Sequence, residues 1–224
     1  IKSDYDLSLM KPNQNLYNLT SEVISGLKSI LESFKPDYVF VHGDTTTTMA
    51  ASIAAFYSGA KVCHIEAGLR THNMSSPFPE EMNRQVTGRV TTYHFAPTIK
   101  SQENLIKENV PKDNILVTGN TVIDALFSVM QKARETDYPD ELVSKAPFLI
   151  NKKNKKRIIL VTGHRRENFG EGFKNICSAL VCVAKKYPDI ELIYPVHLNP
   201  NVLNPVKKYL SSIKNIHLVK PLDY

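Results

Sequence analysis

The sequence predicts an α/β protein built on parallel sheets and divided into two domains. Short apolar, β-branched strands alternate with helical patterns along most of the chain, which is the signature of βαβ units. Each strand runs into a polar turn that opens the next helix. The length of 224 residues, at roughly 150 residues per domain, is more than one domain and less than two. With 42% hydrophobic residues, 22% charged and 9 Gly against 13 Pro, the composition is globular and excludes disordered, collagen-like and coiled-coil classes.

The elements follow in order. Tyr38 to Val41 is a strand after the breaker Lys35-Pro36-Asp37, and its polar end His42-Gly43-Asp44 leads into an Ala-rich helix from Thr45 to Phe56 with capping hydroxyls at its start. Gly59 stops that helix. Strands are predicted at Lys61–Ile65, Tyr93–Ala96 and Asn114–Val117, with a helix from Thr98 to Asn109. Pro77-Phe78-Pro79-Glu80-Glu81-Met82-Asn83-Arg84 reads as a proline-stiffened loop entering a helix. Thr121 to Ala133 is helical, and Thr136 to Lys156 reads as a loop-rich junction. In the second half, strands at Arg157–Thr162, Ile190–Val196 and Asn215–Val219 alternate with helices near Gly172–Lys186 and Asn201–Ser212. The boundary falls near Gly119, giving domains 1–118 and 119–224 whose strand ends face a cleft.

The net charge of +6 is unevenly spread, near −1 over residues 1–118 and +7 over 119–224. Part of the excess is the run Lys152-Lys153-Asn154-Lys155-Lys156-Arg157, which lacks interleaved aromatics for base stacking and reads as a solvated loop, so no nucleic acid is expected. No apolar run reaches the roughly 18 residues of a membrane span, and the opening IKSDYDLSLMKPNQN is too polar for a signal peptide. Cys63, Cys177 and Cys182 have neither CxxC nor zinc spacing. Cys177 and Cys182, five apart in an apolar helix, read as core, and a reducing cytoplasm is expected.

In open α/β sheets ligands gather beyond the carboxyl ends of strands, and four such ends carry reactive side chains. Asp44 is either a helix N-cap or a site carboxylate. Glu66 either pairs with Arg70 or stands in a site, and the Ala67-Gly68 after it admits a second backbone or a ligand. Glu80 and Glu81 either serve the first turn of a helix or join Asp44 and Glu66 in a set of carboxylates tuned for acid and base work. His164-Arg165-Arg166 is suited to a diphosphate, or else forms surface ion pairs with Glu167 and Glu171. His197 and Asn199 end another strand. There is no P-loop, GxGxxG, GxSxG or HExxH.

Together these segments resemble the non-hydrolysing UDP-N-acetylglucosamine 2-epimerases: HGDTTTT at 42–48, HIEAGLRT at 64–71, SPFPEEMNRQVTG at 76–88, GNTVIDAL at 119–126, TGHRRENFG at 162–170 and YPVHLNPNV at 194–202. The resemblance implies two Rossmann-like domains of GT-B type and interconversion of UDP-N-acetylglucosamine and UDP-N-acetylmannosamine. That reaction would proceed through elimination of UDP to 2-acetamidoglucal and its re-addition, with no metal and no other cofactor. It implies that Asp44, Glu66 and Glu80 are the acid, base and charge-stabilising carboxylates, and that His164 with Arg165 neutralises the diphosphate. His197 is carried over to the place where bacterial members bind a second, activating substrate molecule. A cytoplasmic homodimer serving surface polysaccharide synthesis is also implied.

Family members begin with a first strand and a Gly-x-Arg-Pro-Glu segment, and continue to a Ser-Gly-Gly and Glu segment that holds uridine and ribose. Neither is present, so both domains are expected to be incomplete and the chain as it stands to have little or no activity. Two other readings remain: a hydrolysing relative that adds water to the glucal, and a non-catalytic nucleotide-sugar-binding domain. A GT-B glycosyltransferase does not need three convergent carboxylates.

Overall fold

The computed structural model describes residues 2–11, 14–135, 140–149, 156–163 and 168–221. They form two compact units, residues 1–124 and 125–224, each organised around a parallel sheet as the alternation predicts.

In the first unit, β1 (Tyr38–His42), β2 (Lys61–Ile65), β3 (Thr91–Ala96) and β4 (Ile115–Val117) pair in sequence order and all in parallel. The carboxyl ends of all four strands therefore lie on one edge of the sheet. Helix α1 (Leu16–Phe34), to which the sequence reading assigns nothing, packs on α2 (Thr46–Tyr57). Leu16, Leu19, Val23, Leu27, Ile30 and Leu31 recur at helical spacing in α1. Its start is fixed by Asn15, whose side chain accepts from the Asn18 N–H at 2.8 Å. Its end is fixed by Lys35 in the left-handed region before Pro36.

Helix α2 is buried on most sides because its side chains are small. Ala50, Ser52 and Ala55 have no exposure, so the helix fits between the sheet, α1 and α3 (Glu80–Val90). Val41, Ala55 and Val62 form the core beneath it. Helix α4 (Ile99–Lys107) covers Ala67, Ala96 and Ile115 with Leu105.

The second unit has β5 (Arg157–Leu160), β6 (Ile190–Pro195) and β7 (Ile216–Val219) in that order, again parallel. Helices α7 (Glu171–Lys186) and α8 (Pro200–Leu210) supply Phe173, Cys177, Val202, Val206 and Leu210 to a core with Ile190, Leu192 and Tyr194. Helix α5 (Thr121–Glu135) lies across the division of the two units.

Two expectations need correction. The junction from Thr136 to Lys156 contains α6 (Asp140–Lys145) and a 3-10 turn, Pro147–Leu149. Ala146 between them is fully buried against Ile193 and Val219, so tertiary packing orders a stretch whose composition reads as loop. Cys177 is buried but Cys182 is exposed. Five residues advance a helix by about 140° beyond a full turn, which places the two thiols on different faces.

The turn after β2 shows why Gly68 is glycine. It has φ +86°, and a Cβ there would lie 2.3 Å from the Ser101 carbonyl oxygen. The close approach that Ala67-Gly68 admits is therefore the backbone of α4. Gly68→Ala should lower the unfolding free energy by about 3 kcal/mol, from left-handed backbone plus a clash with an unyielding carbonyl. Gly59→Ala, at φ +82° with open space around it, should cost about 1 kcal/mol. Urea unfolding separates the two, and equal losses would contradict the packing argument.

Candidate active site

The site is built from the carboxyl-terminal edge of the first sheet. Beyond β1, Gly43 turns the chain at φ +73° and donates its N–H to the Ile65 carbonyl at 3.0 Å. Asp44 is not the N-cap of α2. That role belongs to Thr45, whose hydroxyl accepts from the Thr48 N–H at 3.1 Å. Asp44 is instead gripped by α3: Asn83 donates from Nδ2 to its carbonyl at 2.8 Å, and Arg84 Nη1 lies 3.5 Å from its carboxylate Oδ2.

The alternative for Glu66 fails as well. Arg70 forks onto Glu108 at 2.7 and 2.8 Å, a bidentate pair that leaves Glu66 for other partners. Asn120, just beyond β4, donates to Glu66 Oε1 at 3.2 Å, and His42 Nε2 stands 3.6 Å from Oε2. Asn120 spans the intervening β3, which ends in the small, fully buried Ala96. Glu66 has φ +69°, a left-handed backbone that costs a non-glycine residue about 1–2 kcal/mol. It persists because Ala67 is fully buried and Gly68 is pinned on α4. Glu66 Oε2 lies 3.5 Å from where a Gly43 side chain would begin, so its carboxylate stands over the residue before Asp44.

Pro77-Phe78-Pro79, with both proline bonds cis, delivers the chain to α3. Glu80 opens that helix, half-buried. Its side chain has no hydrogen bond or ion pair among the described residues. Glu81 does more than serve the helix start. It is 0% exposed, and its carboxylate accepts from the N–H groups of Thr71 at 3.1 Å and His72 at 3.2 Å and from Gln85 at 2.9 Å. Arg84 Nε is 3.2 Å away. Burial pushes the Glu81 carboxyl up, but these donors and the Arg84 charge outweigh it and hold it below the usual carboxylate range. Asn83, Arg84, Asn120 and His42 are site residues that the sequence reading misses, although each lies within or beside a motif it singles out.

Below these groups sit two neutral histidines, His64 on β2 and His94 on β3, adjacent in register and almost fully buried. His64 Nε2 is 2.7 Å from the Gly43 carbonyl and so braces the turn that carries Asp44. Burial lowers both to about 4, assisted at His94 by the neighbouring His64 and at both by Arg70. Arg70, through its hydrogen bonds first, holds Glu108 below its ordinary value.

In the second unit, His164 and Arg165, with Arg166 and Glu167, lie outside the described residues. Gly163 immediately before them accepts from the Tyr194 hydroxyl at 2.9 Å, and burial pushes that phenol up to about 12. His197 is exposed beyond β6, and its Nδ1 accepts from the Asn199 N–H at 3.0 Å. Asn199 in turn caps α8 by accepting from the Asn201 N–H at 2.9 Å. Among the described residues no helix is long and apolar enough to cross a membrane.

Known proteins share this sequence pattern and fold. The sequence profile of the UDP-N-acetylglucosamine 2-epimerase family matches residues 1–224. A Ralstonia solanacearum protein named "Probable UDP-N-acetylglucosamine 2-epimerase" is 56% identical over 225 residues, which covers 100% of this chain and 59% of that protein. The UDP-GlcNAc 2-epimerase of Neisseria meningitidis, solved bound to UDP-GlcNAc, superimposes with a TM-score of 0.92 at 52% identity, covering 100% of this chain and 60% of that one. The Methanocaldococcus jannaschii enzyme in complex with UDP-GlcNAc and UDP gives a TM-score of 0.75 at 28% identity, covering 97% of this chain and 60% of that one. The chain thus spans about 59% of the length of the curated relatives it matches.

The buried histidines make stability depend on pH. A histidine lowered from 6.5 to about 4 by folding takes up a proton on unfolding anywhere between those values. The unfolding free energy should then fall as pH drops from 6.5 toward 4.5, by about 1.4 kcal/mol per pH unit for each proton. Below 4.5 the lowered carboxyls of Glu81 and Glu108 add to the loss. Urea unfolding at pH 7, 5.5 and 4.5 measures the slope. His94→Gln should flatten it, and an unchanged slope would place the proton uptake elsewhere.

Proposed function

The chain belongs to the UDP-N-acetylglucosamine 2-epimerase family, and on that premise we propose that the protein carrying it interconverts UDP-N-acetylglucosamine and UDP-N-acetylmannosamine without hydrolysing either. The observation that supports this reading is the placing of two carboxylates just beyond adjacent parallel strands, Asp44 after β1 and Glu66 after β2, with Glu80 heading the helix that grips Asp44.

The chemistry asks for this kind of arrangement. The hydrogen on C2 of the sugar is not acidic, because no carbonyl adjoins that carbon. Its removal must accompany departure of UDP from C1, where positive charge builds. One carboxylate takes the C2 proton as the C1–O bond breaks, which leaves 2-acetamidoglucal and UDP. A second carboxylate returns a proton to C2 from the opposite face as UDP re-adds at C1. A carboxylate in the same site also stabilises the charge at C1. Asp44 and Glu66 are the pair proposed to act on C2, with Glu80 the third carboxylate.

Glu66 is suited to exchanging a proton, since its two oxygens face a neutral amide and an imidazole rather than a fixed cation. His164 and Arg165 are assigned the leaving diphosphate and His197 a second substrate molecule, by motif. A cytoplasmic homodimer belongs to the same proposal.

In a protein of the family's full length that carries these residues, Asp44→Asn, Glu66→Gln and Glu80→Gln should each slow exchange of the C2 hydrogen with D2O by about 100-fold, the scale of lost acid–base catalysis. NMR of the nucleotide sugar follows the exchange. Wild-type exchange in all three variants would defeat the carboxylate assignment, and accumulation of free N-acetylmannosamine would replace epimerisation by hydrolysis.

A further inference from the structure

The residues between the carboxylates carry an inference about how Asp44 is aimed, and it rests on the reading of Asp44 as a reacting group. Arg84 is 7% exposed and stands between two acids, with Nε 3.2 Å from Glu81 Oε2 and Nη1 3.5 Å from Asp44 Oδ2. Glu81 is fixed independently of Asp44, because its oxygens also hold the Thr71 and His72 N–H groups and the Gln85 amide. Thr71 and His72 belong to the loop that follows Glu66. The guanidinium is thus anchored from the segment that carries one carboxylate and reaches the other.

The neighbouring Asn83, 1% exposed, holds the Asp44 carbonyl at 2.8 Å, so α3 grips Asp44 at backbone and side chain together. This grip is not the cheapest packing available. Among the described residues Arg84 Nη2 and Asn83 Oδ1 are buried with no hydrogen-bond partner, and Arg84 Nε has only its ion pair with Glu81, a costly state for groups that only fill space. Arg84 meets each acid through a different nitrogen, Nε toward Glu81 and Nη1 toward Asp44, and a rigid, planar guanidinium held at one end fixes where its other end lies as a flexible ammonium does not.

We propose that Arg84 is the positioning residue of the site: oriented by the buried Glu81, it sets the direction of the Asp44 carboxylate toward C2. It touches no substrate and acts through Asp44, which makes the proposal separable from a general structural role.

The test is a double-mutant cycle in a family-length protein carrying this chain, with Arg84→Gln and Asp44→Asn made singly and together. Misaiming a reacting group costs about 100-fold, so Arg84→Gln should lower kcat by that factor and leave KM within about threefold. In the Asp44→Asn background the same change should lower kcat by no more than about threefold. Equal losses in both backgrounds, or a loss confined to KM, overturn the proposal.

If Arg84→Gln does not fold, Arg84→Lys takes its place in the cycle, keeping the charge and losing the second nitrogen that bridges the two acids. If the unsubstituted protein neither epimerises nor exchanges C2 hydrogen, the functional reading falls. The positioning claim is then decided by crystal structures with Arg84 and with the variant. A turn of the Asp44 carboxylate beyond about 20° supports it, and an unmoved carboxylate overturns it.

Discussion

Glu81 is a carboxylate with no access to solvent, and the edge of the first sheet is arranged around answering its charge. An ionised group removed from water is tolerable only when paired and hydrogen-bonded. Here two backbone N–H groups, an amide and a guanidinium supply the partners. Each partner ties α3 to something else: Thr71 and His72 to the loop after β2, Arg84 to Asp44 beyond β1. A second, part-buried pair, Arg70 with Glu108, fastens the same loop to the end of α4. Removing Arg84 strands the buried Glu81 and removing Glu108 strands the buried Arg70 side chain, so the loops cannot relax independently.

That framework allows Glu66 to keep a strained backbone. Its left-handed conformation is imposed by the next two residues, because Gly68 lies against the Ser101 carbonyl and Ala67 is sealed beneath α4. The neutral His64 holds the other side by bonding to Gly43. Rigid, buried groups thus surround two carboxylates that are themselves only part-buried, with side chains 34% and 30% exposed. Pre-organisation of this kind lets charge developing in a transition state be met without rearrangement.

The sequence makes the architecture legible because strand and helix periods alternate cleanly and every strand ends in a polar turn. It also points to Asp44 and Glu66, since carboxylates directly beyond apolar strands are unusual for ordinary turns, and to Glu80 through the proline-stiffened motif that opens a helix. It does not reveal which local alternative loses. Asp44 next to Thr45 and Glu66 four residues from Arg70 are satisfactory local pairings, and only distant residues decide against them. Thr45 takes the cap, Glu108 takes Arg70, and Asn83 and Asn120 reach Asp44 and Glu66 from far along the chain. Glu80 and Glu81 look alike in sequence, yet Glu81 is wholly buried and Glu80 only half-buried. Helix α1 carries a readable apolar period and cap that the sequence reading passes over, whereas residues 140–149 are legible only through the surface that Ala146 covers.

The central claim is that the carboxylates at this edge remove the C2 hydrogen while the C1–O bond breaks. Positional isotope exchange tests this directly. UDP-N-acetylglucosamine carrying 18O in the bridge between C1 and the β-phosphorus would be incubated with a family-length protein that contains these residues, and the position of the label read by 31P NMR. The bridging oxygen of released UDP becomes equivalent to the other β-phosphate oxygens, so the account predicts that label spreads to non-bridging positions as epimerisation proceeds. Epimerisation with all of the label still in the bridge would mean that the C1–O bond never breaks, and would contradict the account.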